Sequence, residues 1–133
     1  MNVGDVSEAV MMVASEDSAK ALAVSLEDDF PDVFATSRMV ALMELAAARA
    51  MKKLLNTGQL SVGVGVDIKH LAATPVGVEV RATATFRGMA GKLYRFKVEA
   101  FDAGGLIGEG EHTRAIVSTE RLLSGAASRN AGT

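Results

Sequence analysis

The chain has 133 residues, 14 Lys+Arg against 16 Asp+Glu for a formal net charge of −2, and no cysteine. That length suits one domain with its own core, and the missing cysteines exclude disulfides, thiolate metal sites and cysteine nucleophiles together. A slightly acidic chain with five Phe, one Tyr and no Trp also lacks the basic, aromatic surface that nucleic-acid binding needs.

The first ten residues, MNVGDVSEAV, are acidic and contain no uninterrupted apolar run. They do not read as a secretory leader. No uncharged stretch reaches 18 apolar residues, so no membrane span is expected, and the default is a soluble cytoplasmic domain. Residues 7–14, SEAVMMVA, suit a short strand. Residues 15–35 are mixed and acidic and contain Pro31, which predicts irregular chain or short helical turns.

One long helix is predicted next. From Arg38 to Leu55 there is no Gly or Pro, and Ala, Leu and Met dominate. Thr36 or Ser37 is placed to cap its start, and Asn56–Thr57–Gly58 to stop it. Arg38, Arg49, Lys52, Lys53 and Asn56 fall on one narrow stripe at about 100° per residue. The remaining surface is apolar or small, as expected of a helix wrapped by other elements.

Beyond residue 60 the period changes to two. In SVGVGVDIKH, Val62, Val64, Val66 and Ile68 share parity with His70, while Gly63 and Gly65 fall opposite. Val78, Val80, Ala82, Ala84 and Phe86 form one face of the next strand, and Tyr94, Phe96, Val98 and Ala100 one face of the strand after it. Turns are expected at 73–77, 88–91 and 102–105, before a last strand in LIGEGEHTRAIV. Residues 1–123 therefore read as one domain. Residues 124–133, SGAASRNAGT, read as a disordered tail. Consecutive strands with tight turns are antiparallel, so the layout is α+β. A sheet of this kind curled around one long helix is the hot-dog arrangement.

Three residues stand out chemically. Glu44 is the only charge between Met39 and Ala48. Its helical neighbours Val40, Ala41, Ala47 and Ala48 include no cation. A solvent-facing glutamate is the plain reading; a buried, unpaired carboxylate serving as acid or base is the sharper one. His70 has core-facing parity at a strand end. It is either a structural histidine or a partner for that carboxylate in proton transfer. Thr36 is either an ordinary cap or a hydroxyl at a helix N-terminus, where negative charge is favoured. Thr36 and Glu44 are eight residues apart, about 12 Å along a helix, so only a substrate or another subunit would bridge them.

The segments VFATSRMVALMELAAARAM, SVGVGVDIKHLAATPVG and GLIGEGEHTRAIV together resemble the hot-dog thioesterases related to fluoroacetyl-coenzyme A thioesterase, over roughly residues 7–120. That resemblance implies a homodimer that hydrolyses acyl-coenzyme A thioesters without a metal or other cofactor. It implies a catalytic set of Thr36, Glu44 and His70. It also implies substrate contacts from Gly63 beside the thioester, from Arg114 near the site, and from Phe30 as a gate to the acyl pocket. A small or short-chain acyl group is the expected substrate. A non-catalytic acyl-binding dimer and a hot-dog dehydratase or isomerase remain as alternatives. No nucleic-acid or membrane partner is expected.

Overall fold

The computed structural model describes residues 1–132. Five strands, β1 (Val6–Met12), β2 (Gln59–His70), β3 (Glu79–Ala90), β4 (Leu93–Asp102) and β5 (Gly105–Ser118), form one sheet, and a helix α1 (Thr36–Met51) lies between β1 and β2 in the chain. Strand order is β1-β3-β4-β5-β2 and every pairing is antiparallel. The acidic segment contains short turns of 3-10 helix at Ser15–Asp17 and Lys20–Leu22. Another such turn, Lys52–Leu54, extends α1. Among the described residues no helix is long and apolar enough to cross a membrane.

The sheet curls around α1. Met39, Leu42, Met43, Ala46, Ala47 and Met51 are buried on the helix, facing Val80, Ala82, Ala84 and Phe86 of β3 and Phe96, Val98 and Ala100 of β4. The alternation in β3 and β4 produces this face as the sequence predicts. Alanines on the sheet let the helix approach, and the flexible thioethers of Met39, Met43 and Met51 fill the space that remains. The layout is the α+β hot-dog arrangement.

Three local expectations are corrected. The helix begins at Thr36 with Ala35 in the cap position, and no side chain caps it. Thr36 is thus the first helical residue, and its hydroxyl is left for another partner. In β2 the register shifts between Gly63 and Gly65. This bulge puts Gly63 opposite Arg114 on the inner face and inverts the parity of the residues before it. Val66, Ile68 and His70 keep their inner parity, whereas Val62 pairs with Ala115 on the other face. Finally, residues 119–130 form a helix α2 (Thr119–Asn130) where a disordered tail is expected. Ser118 Oγ accepts from Arg121 N at 3.3 Å and caps it, while Leu, Ala and Arg residues sustain it. Position 133 of the expected tail lies outside the described residues.

Candidate active site

The predicted site residues fall into two groups, one near each end of β2. The first joins the start of α1 to the end of β2. Thr36 Oγ1 and His70 Nδ1 are hydrogen-bonded at 2.8 Å. His70 Nε2 is buried and has no hydrogen-bond partner among the described residues. A buried, unsatisfied ring nitrogen is costly and calls for an incoming partner. The pair lines an open cleft of about 430 Å³, walled by Ala19, Pro31, Val33, Phe34, Leu71, Ala72 and Ala73. This apolar wall suits an acyl group more than a sugar or phosphate.

The cleft is braced from behind. Phe34 N donates to Thr74 O at 2.8 Å, and Leu71 N donates to Ile107 O at 2.7 Å. Buried Thr74 donates through Oγ1 to Asp102 Oδ2 at 2.6 Å, tying the loop after His70 to the turn between β4 and β5. Phe30, the expected gate, is 47% exposed on the same segment as Pro31 and Val33 of the cleft wall. Phe34, four residues later, is buried and lines the cleft.

The second group surrounds Glu44, about two helical turns further along α1. Its side chain is 39% exposed, and Oε1 lies 3.9 Å from both His112 Nε2 and Arg114 Nη1. The carboxylate is therefore neither dry nor without cations, contrary to the reading from its helical neighbours. Its partners come from β5, a strand remote in sequence. Gly63 lies directly beneath: a Cβ at that position would collide with Glu44 Oε1 and stand 3.2 Å from His112 Cε1. Glycine is needed here because the carboxylate occupies the space a side chain would take. Ala41, Glu44, Leu45, Ala48, Ser61, Val62, Gly63 and Arg114 line a shallow hollow of about 400 Å³.

Arg114 is almost fully buried and held at three points. Nε donates to Ser61 Oγ at 3.0 Å, Nη2 donates to Ser61 O at 2.9 Å, and Nη1 lies 3.1 Å from His112 Nε2. His112 is 1% exposed, and its Nδ1 is 2.8 Å from Gly65 O. Burial lowers the His112 pKa, and the Arg114 charge adds to that; the bond to Gly65 and the Glu44 carboxylate oppose it. Burial likewise lowers the Arg114 pKa, against Glu44. His112 is missing from the sequence-predicted set. A signal for it exists: Gly110, His112, Arg114 and Ile116 share strand parity, so a polar pair at 112 and 114 interrupts an inward face.

No group of three or more His, Cys, Asp or Glu side chains with metal-binding geometry occurs among the described residues. The chemistry on offer is an imidazole bonded to a hydroxyl at an uncapped helix start, and a carboxylate held by an arginine. These are the parts of proton transfer and carbonyl polarisation.

A family model described as fluoroacetyl-CoA-specific thioesterase matches residues 13–120. A fluoroacetyl-CoA thioesterase from Streptantibioticus cattleyicolor is 43% identical over 94 residues, covering 71% of this chain and 68% of that protein. A crystal structure of the fluoroacetyl-CoA thioesterase FlK superposes with a TM-score of 0.92 at 36% identity, covering 98% of each chain. A structure of a point mutant of that enzyme in complex with fluoroacetate and CoA superposes with a TM-score of 0.86 at 37% identity, covering 92% of this chain and 99% of that one.

Proposed function

The chain belongs to the fluoroacetyl-CoA-specific thioesterase family and hydrolyses acyl-CoA thioesters, and on that premise we propose that it acts on a small or short-chain acyl-CoA in the cytoplasm, with Thr36, His70 and Glu44 as its catalytic residues. One observation carries the reading. Thr36 holds Nδ1 of His70, while the buried Nε2 is left without a partner beside an apolar cleft. That nitrogen is supplied with everything except the group it acts on.

The carboxylate comes from a second copy of the chain. β2 is an edge strand, and an uncovered edge invites pairing with another chain. Leu45 on α1 and Leu60, Val64 and Val66 on β2 are exposed; a second copy would bury them. If two β2 edges pair antiparallel about a two-fold axis midway between Val66 and Asp67, position 63 of one copy faces position 70 of the other. A two-fold axis passing Val40 likewise exchanges Thr36 and Glu44 along α1. The homodimer therefore sets each Glu44 beside the partner's Thr36 and His70. The two halves of the site, apart in one chain, become one.

In that site the thioester carbonyl lies against His70 and the uncapped start of α1, whose amides favour negative charge on the oxygen. Glu44, aimed by Arg114 over Gly63, attacks the carbonyl carbon or deprotonates the water that does. Coenzyme A leaves as the thiolate and takes up a proton. On the first route Glu44 and the acyl group form a mixed anhydride that water then cleaves; cleavage at the Glu44 carbonyl carbon leaves label from labelled water in that carboxylate within one turnover, which water activation never does.

The test is thiol release from a panel of acyl-CoA esters. The wild-type chain is expected to turn over short acyl groups best, and Glu44→Gln to lower kcat by a factor of about 10² or more. A Glu44→Gln variant with undiminished kcat refutes the assignment.

A further inference from the structure

We infer that His112 is a positioning residue for the hydrolysis: as a neutral imidazole protonated at Nδ1, it accepts a hydrogen bond from Arg114 and so fixes the guanidinium that aims Glu44. This rests on Glu44 being the working carboxylate.

The tautomer follows from the partners. A carbonyl oxygen only accepts, so the 2.8 Å contact with Gly65 O requires the proton on Nδ1. Nε2 then carries the lone pair that receives Arg114 Nη1–H at 3.1 Å. The remaining donors of Arg114 shown in contact, Nε and Nη2, go to Ser61. With all three held, the guanidinium cannot rotate away from Glu44 Oε1 at 3.9 Å. The bulge in β2 matters here, because it brings Gly63 beneath the carboxylate and Gly65 to His112.

A protonated His112 would undo the arrangement. Nε2 would become a donor facing a donor, two cations would lie in contact, and the imidazolium would compete with Arg114 for Glu44 at 3.9 Å. The charged groups facing the ring are few. Among the described residues α1 supplies Glu44 and β5 supplies Arg114, while β2 supplies uncharged Gly63 and Gly65 and β4 sets Phe96 opposite. Burial already disfavours the charged ring, so the neutral acceptor persists at neutral pH.

Three substitutions separate positioning from simple packing. His112→Asn keeps a donor near Nδ1 for Gly65 and removes the acceptor for Arg114. His112→Gln places a carbonyl oxygen near the former Nε2 and restores that acceptor. His112→Phe fills the space and removes both. The expected result is a fall in kcat of about tenfold or more for Asn and Phe, with KM little changed and a clear recovery in Gln. In a Glu44→Gln background, His112→Asn should cost nothing further. Imidazole ¹⁵N shifts of the wild-type protein should report the neutral Nδ1–H form at pH 7, a readout that does not depend on any variant folding. The inference is overturned by the Nε2–H tautomer or the imidazolium at pH 7, by equal losses in folded Asn and Gln variants, or by a loss carried in KM. Failure of the Glu44 assignment itself shows separately, as full activity in Glu44→Gln alone.

Discussion

Replacing Gly63 with alanine adds one carbon atom to the inner face of β2. The backbone at Gly63 is not in the left-handed region that only glycine favours, so the substitution acts through space alone. The new Cβ would fall inside contact distance of Glu44 Oε1 and stand 3.2 Å from His112 Cε1. His112 is buried and tied to Gly65 and Arg114, so it cannot yield. Glu44 has a side chain 39% exposed and can. Its carboxylate is expected to swing toward solvent by about 1 Å or more, away from Arg114, and a displacement of that size in a reacting group costs about 10²-fold in rate. The fold should barely notice: a half-exposed side chain moves into water, within about 1 kcal/mol of wild-type stability. Thiol release gives kcat and KM, and thermal unfolding monitors the fold. A Gly63→Ala enzyme with wild-type kcat would refute the placement of the working carboxylate over Gly63. A collapse in stability would show instead that the strand cannot hold the extra carbon.

Thr36→Val removes the hydroxyl bonded to His70 Nδ1 while keeping the shape; kcat should fall about tenfold or more, with thermal stability near that of wild type because no cap is lost. Stability should also depend on pH through His112. Its folded pKa is lowered, so the unfolded chain takes up a proton first as pH falls below about 6.5. The contribution is fully present above that value and is lost as pH falls toward the lower folded pKa. The melting temperature of wild type should therefore drop on acidification from pH 7 to 5, and His112→Phe should flatten that part of the slope; parallel curves for the two proteins would contradict it.

The β3 and β4 faces were legible because both strands bury one side against α1, and strict alternation records that burial residue by residue. The acidic segment was legible because Pro31 and its charges suit no long element. Val62 and Val64 misled, since a bulge shifts parity without any mark except the two glycines beside it. Thr36 suits an N-cap by local preference, but His70, distant in sequence, claims its hydroxyl. Glu44 looked unpaired because only its helical neighbours are visible in the sequence. Arg114 and His112 reach it from the far end of the chain, through the β2–β5 pairing that the bulge adjusts. The order of Thr36, Glu44, His70 and Arg114 along the chain carried the family resemblance, and helical rise already set Glu44 apart from Thr36; what it did not carry is that His70 sits with Thr36, away from Glu44, within one protomer.

That separation gives the most direct test. Glu44→Gln and His70→Ala chains are each expected to be inactive as homodimers. Mixed after denaturation and refolding together, half the dimers should pair one of each, and every such dimer should hold one site with both groups intact. Thiol release should then recover to about a quarter of the wild-type rate. A mixture that stays as inactive as its components would mean that Glu44 and His70 do not meet across the dimer.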